Sequence, residues 1–417
     1  MKLLLTLLFP IMVFAQSFLI SNIPIPKTYI QNLDPYECDT ECLQVYLDNG
    51  QIFSFLAHAT RKLEDETLNE VRSMNISILN LGSQQVSSQV KIAMLLPYKK
   101  IGKYASSTTN AVFSYLITRG HHFELKSYKI ESEDEEEIRR VLQQIKSDGF
   151  YYVIAPLTKK GAQNVVNIDE EVNVYFPTIN VKDIEVQSSY ITYGAIDYEA
   201  QANLLMKEAI SPLVIFSDKS LTGKKLAHYE AEAFKYIDTN KTLNPDNTTI
   251  KYFISRRTTN LERYLKENEK IIEGSFVINT PIVKSGMIMS QLTLYDVNAT
   301  NILSTQVNYD PLLLSMTQYN DRKDMVVANS ITEHNNVLTQ TNAILGNDIV
   351  YDWINYTTTI GIDYFFNQLT GEEREYKVTL ENNQMLYEIE LLQPSVSRFV
   401  EYIHIDRTLL EGEETEE

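Results

Sequence analysis

The fold is decided by residues 90–97, VKIAMLLP, a short and nearly continuous apolar run. Such a run is typical of a strand buried on both faces, as in a parallel sheet covered by helices. From this point the sequence alternates between strand and helix patterns. We expect strands at residues 90–97, 123–130, 151–157, 174–179, 190–196, 213–216, 250–255 and 274–279, and helices at 106–118, 135–147, 161–168, 198–210, 224–236 and 261–271.

This alternation of strands and helices predicts an α/β body with right-handed crossovers and parallel sheets. Two successive sets imply two lobes, because the span exceeds what one hydrophobic core usually holds. A helix near residues 349–368 and a hairpin at 375–391, turning at Asn382-Asn383, must return to these sheets. We therefore expect a two-lobed domain at 89–410, with lobe 1 at 89–196 plus 325–370 and lobe 2 at 197–324 plus 371–405.

The first 15 residues are typical of a cleavable export signal. Lys2 precedes the apolar stretch 3–13, and Val13 and Ala15 occupy the positions that a signal peptidase reads. A buried N-terminal strand or helix is the alternative. The stretch is shorter than the roughly 20 residues of a membrane-spanning helix. We expect a periplasmic, soluble mature protein that does not span the membrane.

Residues 16–88 predict a small helical module that ends in a linker rich in Ser and Gln at 82–89. Its notable feature is the pair Cys38 and Cys42, the 2 cysteines of the chain. Export favours a local disulfide between them. Metal binding is the rival interpretation, although two cysteines supply only half of a zinc site.

The net charge of the chain is −18 at pH 7. Nucleic-acid binding requires a positive surface, so this class of function is not expected. The acidic segment 411–417 is predicted to be a disordered tail.

Three segments resemble type I periplasmic binding proteins. They are the opening strand with Leu95-Leu96-Pro97, the segment 154–158 (IAPLT) followed by Ala162, and the segment 359–364 (TIGIDY) late in the chain. The opening strand in particular resembles the branch that contains penicillin-binding-protein activators of the LpoA or LppC type. The resemblance implies two lobes with a ligand cleft at the carboxyl ends of the strands. The candidate cleft residues on this basis are Tyr98, Thr158, Asn180, Ser217, Asp218 and Thr280.

The sequence departs from the amino-acid-binding members of that family. Those members hold the ligand ammonium with an acidic side chain and a tyrosine of the second lobe. The positions that the resemblance matches to these two residues carry neither of them here. The loop after Phe216 lacks the tyrosine, and the strand end Asn279-Thr280-Pro281 lacks the acid. We do not expect an ordinary branched-chain amino acid as the ligand.

The sequence contains no Gly-x-Ser-x-Gly elbow, His-Glu-x-x-His pair or Walker loop. His121-His122 is interpreted as a solvated turn rather than a metal site. We therefore expect no enzyme, cofactor or metal. The leading hypothesis is an interaction or regulatory adaptor for an envelope partner, such as a cell-wall or surface machine. The alternative is a periplasmic receptor for an unidentified small molecule.

Overall fold

The computed structural model describes residue 30 and residues 38–79, 90–186, 188–236, 244 and 246–404. The predicted signal peptide, the linker and the acidic tail lie outside these residues. The chain divides into a small N-terminal unit, which extends to Gln89 and also includes Gly120–His122, and a larger unit that holds the other residues from Val90 onward. No helix in the described ranges has both the length and the apolar character needed to cross a membrane.

The N-terminal unit contains three helices in its described part, α1 (Thr40–Asp48), α2 (Ile52–His58) and α3 (Glu66–Ile78). Cys38 and Cys42 form a disulfide, as expected. The carboxylate of Asp39 caps α1 by accepting a hydrogen bond from the Cys42 backbone N–H at 2.9 Å. A small apolar core holds the helices together, formed by Leu43, Phe55, Leu56, Ala59 and Leu68.

Strands and helices alternate along the larger unit. The strands are β1 (Val90–Leu96), β2 (Phe123–Lys129), β3 (Tyr152–Ile154), β4 (Asn173–Phe176), β5 (Ile191–Tyr193), β6 (Leu213–Ser217), β7 (Thr249–Phe253), β8 (Ser275–Asn279), β9 (Asn301–Ser304), β10 (Met325–Asn329), β11 (Thr379–Glu381), β12 (Gln384–Leu386), β13 (Glu390–Pro394) and β14 (Phe399–Glu401). The helices are α4 (Tyr98–Ile101), α5 (Tyr104–Arg119), α6 (Glu135–Ser147), α7 (Lys159–Ile168), α8 (Tyr198–Leu205), α9 (Leu221–Phe234), α10 (Glu262–Leu265), α11 (Ile282–Leu294), α12 (Pro311–Met316), α13 (Tyr319–Arg322), α14 (Asn336–Ile344) and α15 (Trp353–Thr370).

These strands form two seven-stranded sheets, one in each lobe. The first has the order β11-β12-β5-β4-β3-β1-β2, and the second has the order β14-β13-β10-β9-β8-β6-β7. Strands β1 to β5 and β6 to β10 are parallel within their sheets. The predicted two-lobed α/β fold class is therefore confirmed.

Helices cover both faces of the first sheet. α5 packs with α14 and α15 on one side, and α6 packs with α7 on the other. Strand β1 is almost entirely buried between these layers, which is the environment that its apolar sequence indicates. In the second lobe, α8 packs against α9, and α11 packs against α12 and α13.

The later crossovers lie at different places from those expected. Strand β10, expected in lobe 1, belongs to the second sheet because it pairs in parallel with β9. The hairpin β11–β12, expected in lobe 2, belongs to the first sheet because β12 pairs with β5. Lobe 1 therefore keeps α14 and α15, as expected, and gains this hairpin, while lobe 2 gains β10 and keeps β13 and β14. The sequence prediction did not include β9, the strand with which β10 pairs, and therefore assigned β10 to the wrong lobe.

Candidate functional site

A cavity of about 620 Å³ lies between the two lobes. Lobe 1 contributes the loops that follow its strands, with residues from 157–159 and 178–183. Lobe 2 contributes the start of α8 and one side of α9. Trp353, the first residue of α15, completes the lining. The cavity is therefore at the carboxyl ends of the strands of lobe 1, where open α/β sheets bind ligands.

Ion pairs join the two lobes across this cavity. The Lys182 ammonium of lobe 1 lies 2.8 Å from Asp197 and 2.9 Å from Glu199, at the start of α8. The Lys225 ammonium on α9 lies 2.7 Å from Asp183 of lobe 1. Two consecutive, oppositely charged residues of lobe 1 thus form ion pairs with two different helices of lobe 2, Lys182 with α8 and Asp183 with α9.

The turn Val181–Asp183 that carries these charges is held firmly on lobe 1. The Asn180 side chain caps it by accepting a hydrogen bond from the Lys182 backbone N–H at 3.1 Å. The Gln384 side chain accepts from the Val181 N–H at 2.9 Å and donates to the Ala195 carbonyl at 3.0 Å. Because Gln384 belongs to β12, the hairpin of lobe 1 positions the turn.

Burial and carboxylate contacts act in opposite directions on the two lysines of the cavity. Partial burial lowers the pKa of Lys182, but its hydrogen bonds with Asp197 and Glu199 raise it more, so the pKa lies above its ordinary value. The pKa of Lys225 is raised in the same way, by Asp183 against the effect of burial. Both side chains are therefore positively charged at neutral pH.

The rest of the wall is largely apolar and aromatic. The Trp353 ring packs edge-on against Tyr198, with ring centroids 6.1 Å apart and an interplanar angle of 88°. Asp352 caps the start of α15 and so fixes the position of this tryptophan. On the side of lobe 2, Lys225 lies over the ring of Tyr229 at 5.5 Å.

Two of the six predicted cleft residues line this cavity. They are Thr158 and Asn180, both in lobe 1. The Thr158 hydroxyl donates to the carboxylate of Glu133, which also accepts from the Thr158 N–H at 2.8 Å. Tyr98 starts α4 outside the cavity lining, where its exposed ring lies 5.9 Å from the Lys129 ammonium.

The other three predicted residues, all in lobe 2, also lie outside the lining. Ser217 is buried at the end of β6. Thr280 is buried after β8, with its hydroxyl 2.9 Å from that of Ser285. The Asp218 carboxylate faces its own loop, where it accepts from the Ser220 N–H at 3.0 Å. Lobe 2 thus closes its strand ends with internal hydrogen bonds.

Sequence reasoning missed the charged and aromatic residues that line the cavity. These are Lys182, Asp183, Asp197, Glu199, Lys225, Tyr198, Tyr229 and Trp353. A partial signal existed, because Lys182 and Asp183 directly follow the candidate Asn180. Asp183 pairs with Lys225, 42 residues later, because of how the lobes pack, and no local sequence pattern predicts this pair.

Lobe 2 also buries a carboxyl group next to the strand end that was expected to lack an acid. Asn279, at the end of β8, donates to Glu230 of α9 at 2.5 Å. The second Glu230 oxygen has no hydrogen-bond partner among the described residues. Burial raises the pKa of Glu230 to about 8. This group is fully buried and is not part of the cavity lining.

No family model matches the sequence, and no curated protein matches it. The similarity that exists is to solved structures. The isoleucine complex of the branched-chain amino acid binding protein LivJ from Streptococcus pneumoniae aligns with a TM-score of 0.52 and 10% identity, over 76% of this chain and all of that one. A putative branched-chain amino acid transporter protein from Rhodospirillum rubrum aligns with a TM-score of 0.57 and 8% identity, over 75% of this chain and 100% of that chain.

LpoA from Haemophilus influenzae aligns with a TM-score of 0.52 and 11% identity. That match covers 87% of this chain and 65% of LpoA, so the chain spans about two thirds of the LpoA length. At these identities the comparisons show the fold alone. The larger unit has the type I periplasmic binding fold, as the sequence resemblance implies.

Proposed function

We propose that this protein, with its type I periplasmic binding fold, is a non-enzymatic interaction or regulatory protein that acts on an envelope partner. Export by residues 1–15 and a periplasmic location are part of the proposal. The observation that carries it is the pairing of the cavity charges across the lobes, by Lys182 and Lys225. A cleft whose carboxylates are already paired is better suited to hold the two lobes in one arrangement than to capture a cationic solute.

The carboxylates of the cavity support this proposal. Asp183 is paired with Lys225, and Asp197 and Glu199 share Lys182. A ligand ammonium would have to take a carboxylate from one of these lysines. Because these side chains are partly exposed, breaking one such pair costs about 1 kcal/mol or less, which lowers the affinity for the ammonium by up to about fivefold.

We therefore expect that free Leu, Ile, Val and Glu do not bind tightly to this protein. Isothermal calorimetry with an amino-acid panel is the measurement, and no binding below a Kd of about 1 μM is expected. A submicromolar Kd for one of these amino acids would contradict the prediction and favour a receptor.

The N-terminal unit is a second source of support, because a simple solute receptor has no need of an additional helical module. The alignment with LpoA covers more of this chain than the alignment with LivJ, 87% against 76%. The sequence resemblance to penicillin-binding-protein activators suggests a cell-wall enzyme as the kind of partner. That suggestion rests on fold-level analogy.

Co-purification from the native source tests the proposal. The full chain is cross-linked in intact cells, purified and analysed by mass spectrometry for both proteins and small molecules. We expect an envelope protein to be enriched in a stoichiometric amount. A stoichiometric small molecule without any enriched protein would overturn the proposal in favour of a solute receptor, which is the second candidate. The volume of about 620 Å³ favours that candidate, because it lies within the usual range of small-molecule sites.

A further inference from the structure

The cavity between the lobes has no net charge. Its lining includes three lysines, Lys159, Lys182 and Lys225, and three carboxylates, Asp183, Asp197 and Glu199. This balance differs from the chain as a whole, whose net charge is −18. Lys182 and Lys225 are engaged by carboxylates of the opposite lobe. Lys159 is exposed to solvent, so water satisfies its ammonium group.

The uncharged polar groups of the lobe 1 wall are engaged as well. The Thr178 hydroxyl donates to the Leu157 carbonyl at 2.8 Å. Asn180 accepts from the Lys182 N–H at 3.1 Å and donates to the Ala195 carbonyl at 3.4 Å. The Thr158 hydroxyl donates to Glu133. What remains for a ligand is mainly the apolar and aromatic surface, formed by Leu157, Ile179, Ile196, Leu226, Tyr198 and Trp353.

We propose that this cavity binds an uncharged, mainly apolar small molecule with a planar group that packs against Trp353. A cationic ligand would have to take a carboxylate from Lys182 or Lys225. An anionic ligand would have to compete with a carboxylate for one of these lysines or pair with Lys159, which is exposed, so that water screens the attraction. An uncharged ligand leaves the pairs in place and gains apolar contact. The proposal concerns the cavity alone and is independent of any envelope partner.

The position of Trp353 makes the proposal directly measurable. Trp353 is the single tryptophan of the sequence, and it lines the cavity. Tryptophan emission overlaps the absorption of naphthylamine dyes, so energy transfer from Trp353 reports a dye bound close to it. The probes are N-phenyl-1-naphthylamine, which is uncharged, and 8-anilinonaphthalene-1-sulfonate, which adds a sulfonate to the same ring system.

In the wild-type protein we expect energy transfer to the uncharged probe and a Kd for the sulfonated probe that is about fivefold higher. Equal or tighter binding of the sulfonated probe would overturn the proposal, as would the absence of transfer to the uncharged probe. Neither result bears on whether an envelope partner exists.

The variant Asp183→Asn separates the effect of the ion pair from the general preference of the dyes. It unpairs Lys225 on the cavity wall, so the affinity for the sulfonated probe is expected to rise about fivefold while that for the uncharged probe changes by less than about twofold. Glu232→Gln is the matched control. Like Asp183→Asn, it removes one negative charge and unpairs one lysine, in this case Lys235 at the end of α9. Lys235 is outside the cavity lining, so both affinities should stay unchanged.

A second variant protects the test against a folding defect in the first, which circular dichroism would detect. Lys182→Met unpairs Asp197 and Glu199, and is expected to weaken the sulfonated probe further while binding of the uncharged probe persists. Equal changes for both probes in these variants, or the same gain in Glu232→Gln, would show that the charges of the cavity do not select its ligand and would overturn the proposal.

Discussion

The two lobes share a plan of seven strands but treat the carboxyl ends of those strands differently. In lobe 1, the turn Val181–Asp183 after β4 lines the cavity, and its Lys182 and Asp183 form ion pairs with lobe 2. After β9 and β10, lobe 2 instead forms a buried network. In it Gln306 donates to Asn329 at 3.0 Å and accepts from the Ser330 N–H at 2.6 Å.

The network in lobe 2 extends to α8 through Gln201, which donates to Ser330 at 2.7 Å. Because buried polar groups need hydrogen-bond partners, such a network fixes one arrangement of helix and strand ends. The strand ends of lobe 2 are therefore structural, and the helices α8 and α9 supply its share of the cavity. Lobes with the same topology can meet a common cleft through different elements.

The strongest way to test this difference is to titrate the buried acid of lobe 2. Burial raises the pKa of Glu230 from an ordinary value of 4.5 to about 8, so the native state binds a proton that the unfolded state releases. The stability of the wild-type protein should consequently fall as the pH rises from about 4.5 to about 8, and then level off for this group. Glu230→Gln should remove that loss, which amounts to about 3 to 5 kcal/mol at pH 8.

Urea unfolding of the two proteins at pH 5, 6.5 and 8 measures this effect. Glu232→Gln, a substitution of a partly exposed carboxylate on the same helix, is the control and should follow the wild type. A stability difference between wild type and Glu230→Gln that stays constant over this pH range would contradict a raised pKa.

A smaller effect is expected from glycines in the helices of the two lobes. A Cβ at Gly361 of α15 would overlap the ring of Tyr175 on β4, whereas a Cβ at Gly286 of α11 would lie 3.3 Å from the Thr317 methyl group. Gly361→Ala should therefore lower the free energy of unfolding by about 1 to 3 kcal/mol. Gly286→Ala should change it by less than about 1 kcal/mol, because the better helix propensity of alanine offsets the close contact.

Chemical denaturation of both variants tests whether lobe 1 depends more than lobe 2 on a close contact at a helix glycine, with Tyr175 of the sheet in lobe 1 and with Thr317 after α12 in lobe 2. Equal effects of the two substitutions would remove that distinction.

The smallest effect concerns the ion pairs between the lobes. These side chains are partly exposed, with relative exposures from 26% to 51%, so each pair contributes about 1 kcal/mol or less. The double variant Lys182→Met/Lys225→Met should increase the radius of gyration in solution scattering. High salt should do the same to the wild type, because salt screens exposed pairs. Lys235→Met, which breaks the pair with Glu232 at the end of α9, should leave the radius unchanged.

Much of the fold could be predicted because its signals are local. The run 90–97 indicates a strand covered on both faces, and β1 is one. Asn382-Asn383 indicates a two-residue turn, and the positive φ angles of 49° and 63° at these positions belong to the hairpin β11–β12. β9 was missed because its sequence Asn301–Ser304 has only two apolar residues and is a strand through its position between β8 and β10.

The candidate site was predictable only in part. The rule that ligands bind at the ends of strands identifies Thr158 and Asn180, whose loops lead into the cavity. The same rule gives Ser217, Asp218 and Thr280 in lobe 2, where local hydrogen bonds turn the strand ends inward. Whether a polar side chain faces a cleft or its own loop depends on tertiary contacts. The ion pairs of Lys182 and Lys225 depend on those contacts too.

The hairpins that complete the two sheets have a consequence for the order in which the protein can be assembled. The β5 edge of the first sheet is covered by Gln384, and β10 of the second is covered by residues up to Leu392. A chain that is synthesised from the N-terminal side must leave both edges unpaired until residues 384–392 have been made. Unpaired edges invite pairing with other chains, so a truncated product would be prone to aggregation. Both sheets can therefore be completed only after residues 384–392 have been synthesised.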